Sequence, residues 1–305
     1  MGKVDALPAR PSLEFLKKLA KQQVVALRRQ GKTTSLSAAQ LTLARKYGFP
    51  SWRKLKAHVE SLKQAAAAVE AISSGDTKSL KRLLSQNSSL ANTRVDNERT
   101  LLHVATDWPG HFPNNLETIA ALAASGADVN AAFAGRHSET PLHWAASSND
   151  VGAIDVLLDH GANIEARGSV IGGGTAMSDA VAFGQWQAAR RLLERGAQTT
   201  LWQAAALGLM DRVDECFKAV PPPSPDEITN AFWCACHGGQ RVAAEYLLHR
   251  GADLNWVGYD KLSPLDAANR SGAAALVQWL RSRGAKSAKE STAGRPNWKQ
   301  PILEE

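Results

Sequence analysis

The sequence predicts an all-α chain built as a linear array of helix pairs, a repeat solenoid with a helical cap. Three observations predict it. A glycine-centred phrase recurs: SGADVNA ending at Ala131, HGANIEA at Ala166 and RGADLNW at Trp256, with RGAQTT and RGAKS as shorter echoes. A second phrase precedes it at a near-fixed distance: TLLHVAT from Thr100, TPLHWAA from Thr140, TAMSDAV from Thr175 and SPLDAAN from Ser263. Between the two, apolar residues such as Ile154, Leu157 and Leu158 return at helical spacing.

Each phrase has a physical reading. Thr140 is an N-cap, with Pro141 at the first helical position. Ala145 and Ala146 are small enough for a neighbouring helix to approach. Ser148-Asn149-Asp150 makes a polar turn into a second helix, which Gly161 ends in a left-handed conformation. One such pair cannot bury its own apolar face, so neighbours must stack.

The period, TPLHWAA and HGANIEA resemble the ankyrin repeat. The likeness covers about residues 66–286 and suggests seven units. It implies antiparallel helix pairs, protruding loops and a concave groove. It also implies that His103 and His143 hold loop backbone. The departures are local. The first unit, Ala66 to Asn92, lacks the Thr-Pro opening. The second carries an insertion from Pro109 to Pro113, the step from Thr175 to Thr199 is short, and the fifth unit ends in Pro221-Pro222-Pro223-Ser224-Pro225. Trp202 is expected in the place of the structural histidine of that unit, and Trp186 and Trp279 are expected to face inward.

Ahead of the repeats, Ser12 is expected to cap a helix from Leu13 to Gln30, Ser37 to open another in a capping box with Gln40, and Trp52 to begin a third that continues toward the first repeat. The string ARKYGFPSWRKLKAHVE resembles a segment that precedes the repeats of bacterial ankyrin proteins. The expected division is a basic helical cap at 1–64, the repeat array at 65–286 and a flexible tail at 287–305. The cap is expected to bury Leu16, Leu27, Trp52 and Val59 on the first repeat.

Charge separates the cap from the rest. The chain of 305 residues carries a formal +7, and residues 1–64 alone hold 14 Lys and Arg against 3 Asp and Glu. That asymmetry points to an acidic partner. No apolar run reaches the roughly 18 residues of a membrane span. The opening MGKVDALPARPSLEF lacks a signal core. Three cysteines form no disulfide framework, so a cytoplasmic protein is expected.

Several sharper motifs are weighed and set aside. Residues 37–59 have the basic second helix of a helix-turn-helix, but Trp52, Leu55 and Val59 mark a buried face there. Gly31-Lys32-Thr33-Thr34 echoes a P-loop without its upstream glycine or strand. Cys234 and Cys236 lie two apart on a helix and point away from each other, so no metal is expected. No nucleophile or carboxylate is fixed near His103 or His143 by spacing, so no catalytic residue and no cofactor is assigned.

A non-catalytic, monomeric protein-binding module is therefore the expected function. Its contact residues are Asp107, Trp108, His111, Phe112, Arg136, His137, Glu139, Trp144, Ser147, Ser148, Asp179, Phe183, Gln203, His237 and Tyr259. Exposed Trp at a groove is a binding anchor, hence the weight on Trp108 and Trp144. The alternative is a nucleic-acid-associated adaptor that uses Arg53, Lys54 and Lys56.

Overall fold

The computed structural model describes residues 5–8 and 11–292. The chain forms two compact units: Met1–Ala105 with Phe112–Asp128, and Thr106–His111 with Val129–Glu305.

In the first unit, α1 (Leu13–Arg29) starts at Ser12, whose side chain accepts the Phe15 amide. Next, α2 (Leu36–Lys46) starts at Ser35, which accepts from Ala38. The cap is therefore Ser35, not Ser37, because only Ser35 stands three residues ahead of an otherwise unbonded amide. The third helix, α3 (Trp52–Ser74), runs unbroken through residue 64 and closes on Gly75 at φ 69°. Leu55 and Val59 are buried in its first half, and Ala65, Ala68, Ala71 and Ile72 in its second.

The first half of α3 closes a small core of Leu16, Ala20, Leu43, Ala44, Leu55 and Val59, against which Tyr47, Phe49 and Trp52 pack. The cap helices thus bury their apolar faces largely on one another. The expectation that the first repeat covers these faces is corrected: α2 already does so. The second half of α3 pairs with α4 (Thr77–Gln86), and α5 (Leu101–Thr106) is followed by α6 (Asn115–Ala124). Two-residue strands at Arg94–Val95 and Arg99–Thr100 form a hairpin, the only sheet among the described residues. At Gly75 an added Cβ would lie 2.4 Å from the Pro113 carbonyl oxygen, and the Asn114 amide donates to the Gly75 carbonyl at 2.9 Å.

The second unit stacks five helix pairs: α7 (Pro141–Ser147) with α8 (Val151–Asp159), α9 (Ala176–Ala182) with α10 (Trp186–Glu194), α11 (Leu201–Leu207) with α12 (Met210–Lys218), α13 (Pro225–His237) with α14 (Arg241–His249), and α15 (Pro264–Arg270) with α16 (Ala274–Ser282). The fold is all-α, as the periodicity requires. First helices carry the small residues: Ala145, Ala146, Ala180, Ala204, Ala205, Ala206, Ala235, Cys236, Ala267 and Ala268 are all fully buried. At Gly238 an added Cβ would sit 1.9 Å from the Ala206 carbonyl oxygen, so α11 and α13 meet backbone to backbone.

Polar ladders tie each repeat to the next. Asn130 donates to the Gly161 carbonyl at 3.1 Å and accepts the Asn163 amide at 2.7 Å. Glu165 accepts the Gln198 amide at 2.7 Å, and Asn255 accepts the Lys286 amide at 2.7 Å. Between second helices, Arg191 and Arg195 meet Asp155 at 2.8 and 2.6 Å. Beyond the last pair, α17 (Ala288–Thr292) is held by Arg281–Glu290 at 2.7 Å and by the Ala288 amide on Asp266 at 2.7 Å. The remainder of the expected flexible tail lies outside the described residues.

Leu157 is fully buried, whereas Leu158 is only half-buried. Leu157→Ala should cost about 2–5 kcal/mol of unfolding free energy, because it opens a cavity between stacked helices. Leu158→Ala should cost less. Urea melts of the two variants check the order; equal losses would shift the register of α8.

Candidate functional site

The expected contact residues separate by burial. Trp108 is 77% exposed and Phe183 is 51% exposed. His111, Arg136 and Tyr259 are exposed, and Asp107, Phe112, His137, Trp144 and Ser147 are half-buried. Glu139, Ser148, Asp179, Gln203 and His237 are buried. These five do not face solvent: Glu139, Asp179, Gln203 and His237 bond neighbouring loops and repeats, and the Ser148 hydroxyl is buried without a hydrogen-bond partner. Phe112 belongs to the other compact unit and is not counted with the rest.

Trp108 and Phe183 occupy one recurring place, the turn at the end of a first helix. In the pair between them that place is held by Ser147 and Ser148. The loop from Asp107 to His111 settles beside this turn: a Cβ at Gly110 would lie 3.0 Å from Cβ of Ser148, and the His111 amide donates to Asp150 at 3.3 Å. Asp107 accepts the Trp108 amide at 2.9 Å, which fixes the backbone while the indole stays in solvent. Gln185 donates to the Ser147 carbonyl at 3.0 Å and links the turns of α7 and α9.

Trp144 is not a free anchor. Its indole donates to Glu139 at 2.9 Å, and its ring lies 5.5 Å from Phe133, which stacks on His137 at 4.6 Å. His137 sits 3.1 Å from the same carboxylate. Glu139 also accepts the Val170 amide at 3.1 Å, so it clasps the loop of the next repeat. The sequence register placed Trp144 in the groove, but the position after the histidine points at the loop, not away from the stack.

The same register governs Asp179, which stands where Trp144 does one repeat earlier. Its Oδ1 accepts the Ser169 hydroxyl at 2.5 Å, and its Oδ2 is buried without a partner. Burial raises its pKa to about 8, with the nearby Glu139 charge adding to the shift and the Ser169 hydrogen bond opposing it. A neutral carboxyl is the cheaper occupant of such a place, since an unpaired buried charge costs far more than an unpaired polar atom.

His143 does what the resemblance implies. Its Nδ1 accepts the Thr140 amide at 3.1 Å, and its Nε2 donates to the Gly174 carbonyl at 3.4 Å. Burial lowers its pKa, which favours this neutral form. In the sixth unit Trp233 takes that role, donating to the Leu262 carbonyl at 2.9 Å. In the fifth, Gln203 takes it, forming the capping box at Thr200 and donating to Ser178 at 3.0 Å. The expectation that Trp202 fills this place is corrected by one residue.

A second aromatic group escaped the sequence reading. Trp233 lies 5.5 Å from His237 and 5.2 Å from Tyr259, and Trp256 lies 5.9 Å from Tyr259. Arg270 stands 5.9 Å from the Trp233 ring. His237 meets Trp186 at 5.1 Å and donates to the Val181 carbonyl at 3.2 Å. Only Tyr259 of this group is widely exposed, at 48%. The available signal was local: Trp233 and His237 stand one helical turn apart on α13, and Trp256 and Tyr259 share the following loop.

Among the described residues no three His, Cys, Asp or Glu side chains gather to hold a metal ion. Cys234 and Cys236 are buried, and burial pushes both thiols up, away from the thiolate that zinc requires. No helix among the described residues is long and apolar enough to cross a membrane.

Residues 114–203 match a family model described as ankyrin repeats in three copies. Among solved structures, the human ASB11 ankyrin repeat domain is similar at 23% identity and a TM-score of 0.44, over 70% of this chain and 96% of that one.

Because the unfolded chain holds Asp179 near its ordinary value of 3.8 and the folded chain near 8, deprotonation favours unfolding between them. This residue's stabilising contribution is complete below about pH 4 and declines as pH rises toward 8, at up to about 1.4 kcal/mol per pH unit. Asp179→Asn should flatten that decline. Thermal melts from pH 5 to 8.5 check it; a variant with the wild-type slope would refute the assignment.

Proposed function

We propose that this chain, an ankyrin-repeat protein, works by binding a protein partner and not by catalysis. The binding surface is the row of first-helix turns in the second compact unit, anchored by Trp108 and Phe183 with Ser147 between them. Loop residues Arg136, His137 and Tyr259 extend it, with Asp107 and His111 at its edge. The observation that carries the reading is the exposure of two large aromatic rings, 77% and 51%, at the same recurring position. Exposed rings of this kind lose water contact only when a partner covers them, and Trp is enriched at binding hot spots. Repeats held by backbone ladders present such rings on a rigid base, so little ordering entropy is spent on association.

On this reading residues 1–64 act as a basic cap, 65–286 as the array, and 287–305 follow it. The protein acts as a monomer in the cytoplasm, in keeping with its three free cysteines. The bacterial type rests on the resemblance of residues 44–60 alone.

Affinity capture from the native host tests the proposal. Trp108→Ala and Phe183→Ala should each weaken capture of the same protein by the equivalent of about 2 kcal/mol or more, with little change in melting temperature. Trp144→Ala should act oppositely, lowering stability by breaking its bond to Glu139 and its packing on Phe133. Unchanged capture by both aromatic variants would remove this surface from the function.

A further inference from the structure

The three-helix piece of the first unit holds a second surface that the binding row does not use. Leu16, Ala20 and Val24 turn one face of α1 into the small core. Lys18 and Arg29 fall on the opposite face, with Lys21 and Arg28 at its flank, and all four are exposed. On α3, Leu55 and Val59 point inward, which leaves Arg53 and Lys54 in solvent at its first turn.

Compensation is sparse. Lys17 pairs with Glu14 at 3.5 Å and Lys46 with Asp5 at 3.2 Å. No carboxylate lies within ion-pair distance of Lys18, Lys21, Arg28, Arg29, Arg53 or Lys54 among the described residues. The first turn of α3 contains no acidic residue. Arg53 and Lys54 there oppose the helix dipole and so do not serve folding, whereas Arg28 and Arg29 in the last turn of α1 accord with it.

We propose that the exposed cations of this three-helix piece bind the phosphate backbone of a nucleic acid without regard to base sequence. Cations spread over two helices suit a linear polymer of regularly spaced phosphates, and the guanidinium groups of Arg28, Arg29 and Arg53 suit phosphate oxygens. An acidic protein partner is less favoured because Tyr47, Phe49 and Trp52 pack against the core, which leaves Phe15 as a single exposed ring on α1 with no aromatic neighbour beside it to form an anchor cluster. An anionic membrane is disfavoured because the exposed apolar residues of α1, Phe15 and Val25, stand ten positions apart, about 15 Å along the helix, and form no continuous apolar face.

The test is fluorescence anisotropy of the full chain with a labelled 20-base-pair duplex of mixed sequence, titrated with salt. If six cations each neutralise a phosphate, log K against log salt should fall with a slope of about −5. The triple variant Lys18→Gln, Lys21→Gln, Arg29→Gln should lower the steepness by about 2.7 and weaken binding at least tenfold at 100 mM salt. All three side chains are exposed, so the melting temperature should hold. A charge-matched control, Lys218→Gln, Lys261→Gln, Lys286→Gln, should bind as the wild type does. Trp108→Ala should also leave duplex binding unchanged, which separates this surface from the protein-binding row. No binding at 50 mM salt, an equal loss in the control, or tighter binding to phosphatidylserine vesicles than to duplex would each overturn the proposal.

Discussion

Everything in the second compact unit follows from one constraint: a helix pair of this length cannot bury its own apolar face. It must lend that face to its neighbours, and the neighbours must come close. Hence the first helices are built from Ala, Cys and Gly, with Ala204, Ala205, Ala206 and Cys236 fully buried. The contact of Gly238 with the Ala206 carbonyl is its limiting case, since any Cβ there would clash at 1.9 Å. Where the helices end that packing stops, and large side chains can stand clear of it. Trp108 and Phe183 stand at those ends.

The same constraint explains why so many polar residues are interior. Each loop leaves backbone groups that water reaches poorly, and a side chain from the adjacent repeat must satisfy them. His143, Trp233 and Asn130 meet that need with different donors to the Gly174, Leu262 and Gly161 carbonyls. Asp179 is the exception, a carboxyl that bonds through one oxygen and leaves the other bare. It sits in the place where Trp144 of the preceding repeat reaches Glu139.

The helix pairs, their order and the cap at Ser12 were legible because they rest on local rules, apolar spacing and capping chemistry. Which recurring positions face a partner was less legible. The sequence shows that Trp144, Asp179 and Gln203 vary between repeats, and variation suggests a surface. Their burial depends on how far each loop folds over its neighbour, which spacing alone does not encode. The one-residue shift at Gln203 came from two adjacent threonines: Thr200, not Thr199, caps α11 in a capping box with Gln203. Ser35 was missed for the nearby capping box at Ser37, and the closure of the N-terminal core on α2 needed the third dimension.

Two surfaces of different chemistry therefore sit on one chain: an aromatic row on rigid turns and a cationic face on a small helical piece. Their separation is the central claim for function. Hydrogen–deuterium exchange of the full chain, alone and with the protein recovered by capture, tests it most directly. The account predicts slowed exchange at residues 107–111, 136–139 and 181–185, with residues 13–60 unchanged. Protection confined to residues 13–60, with the turns of the repeats exchanging as in the free chain, would contradict it.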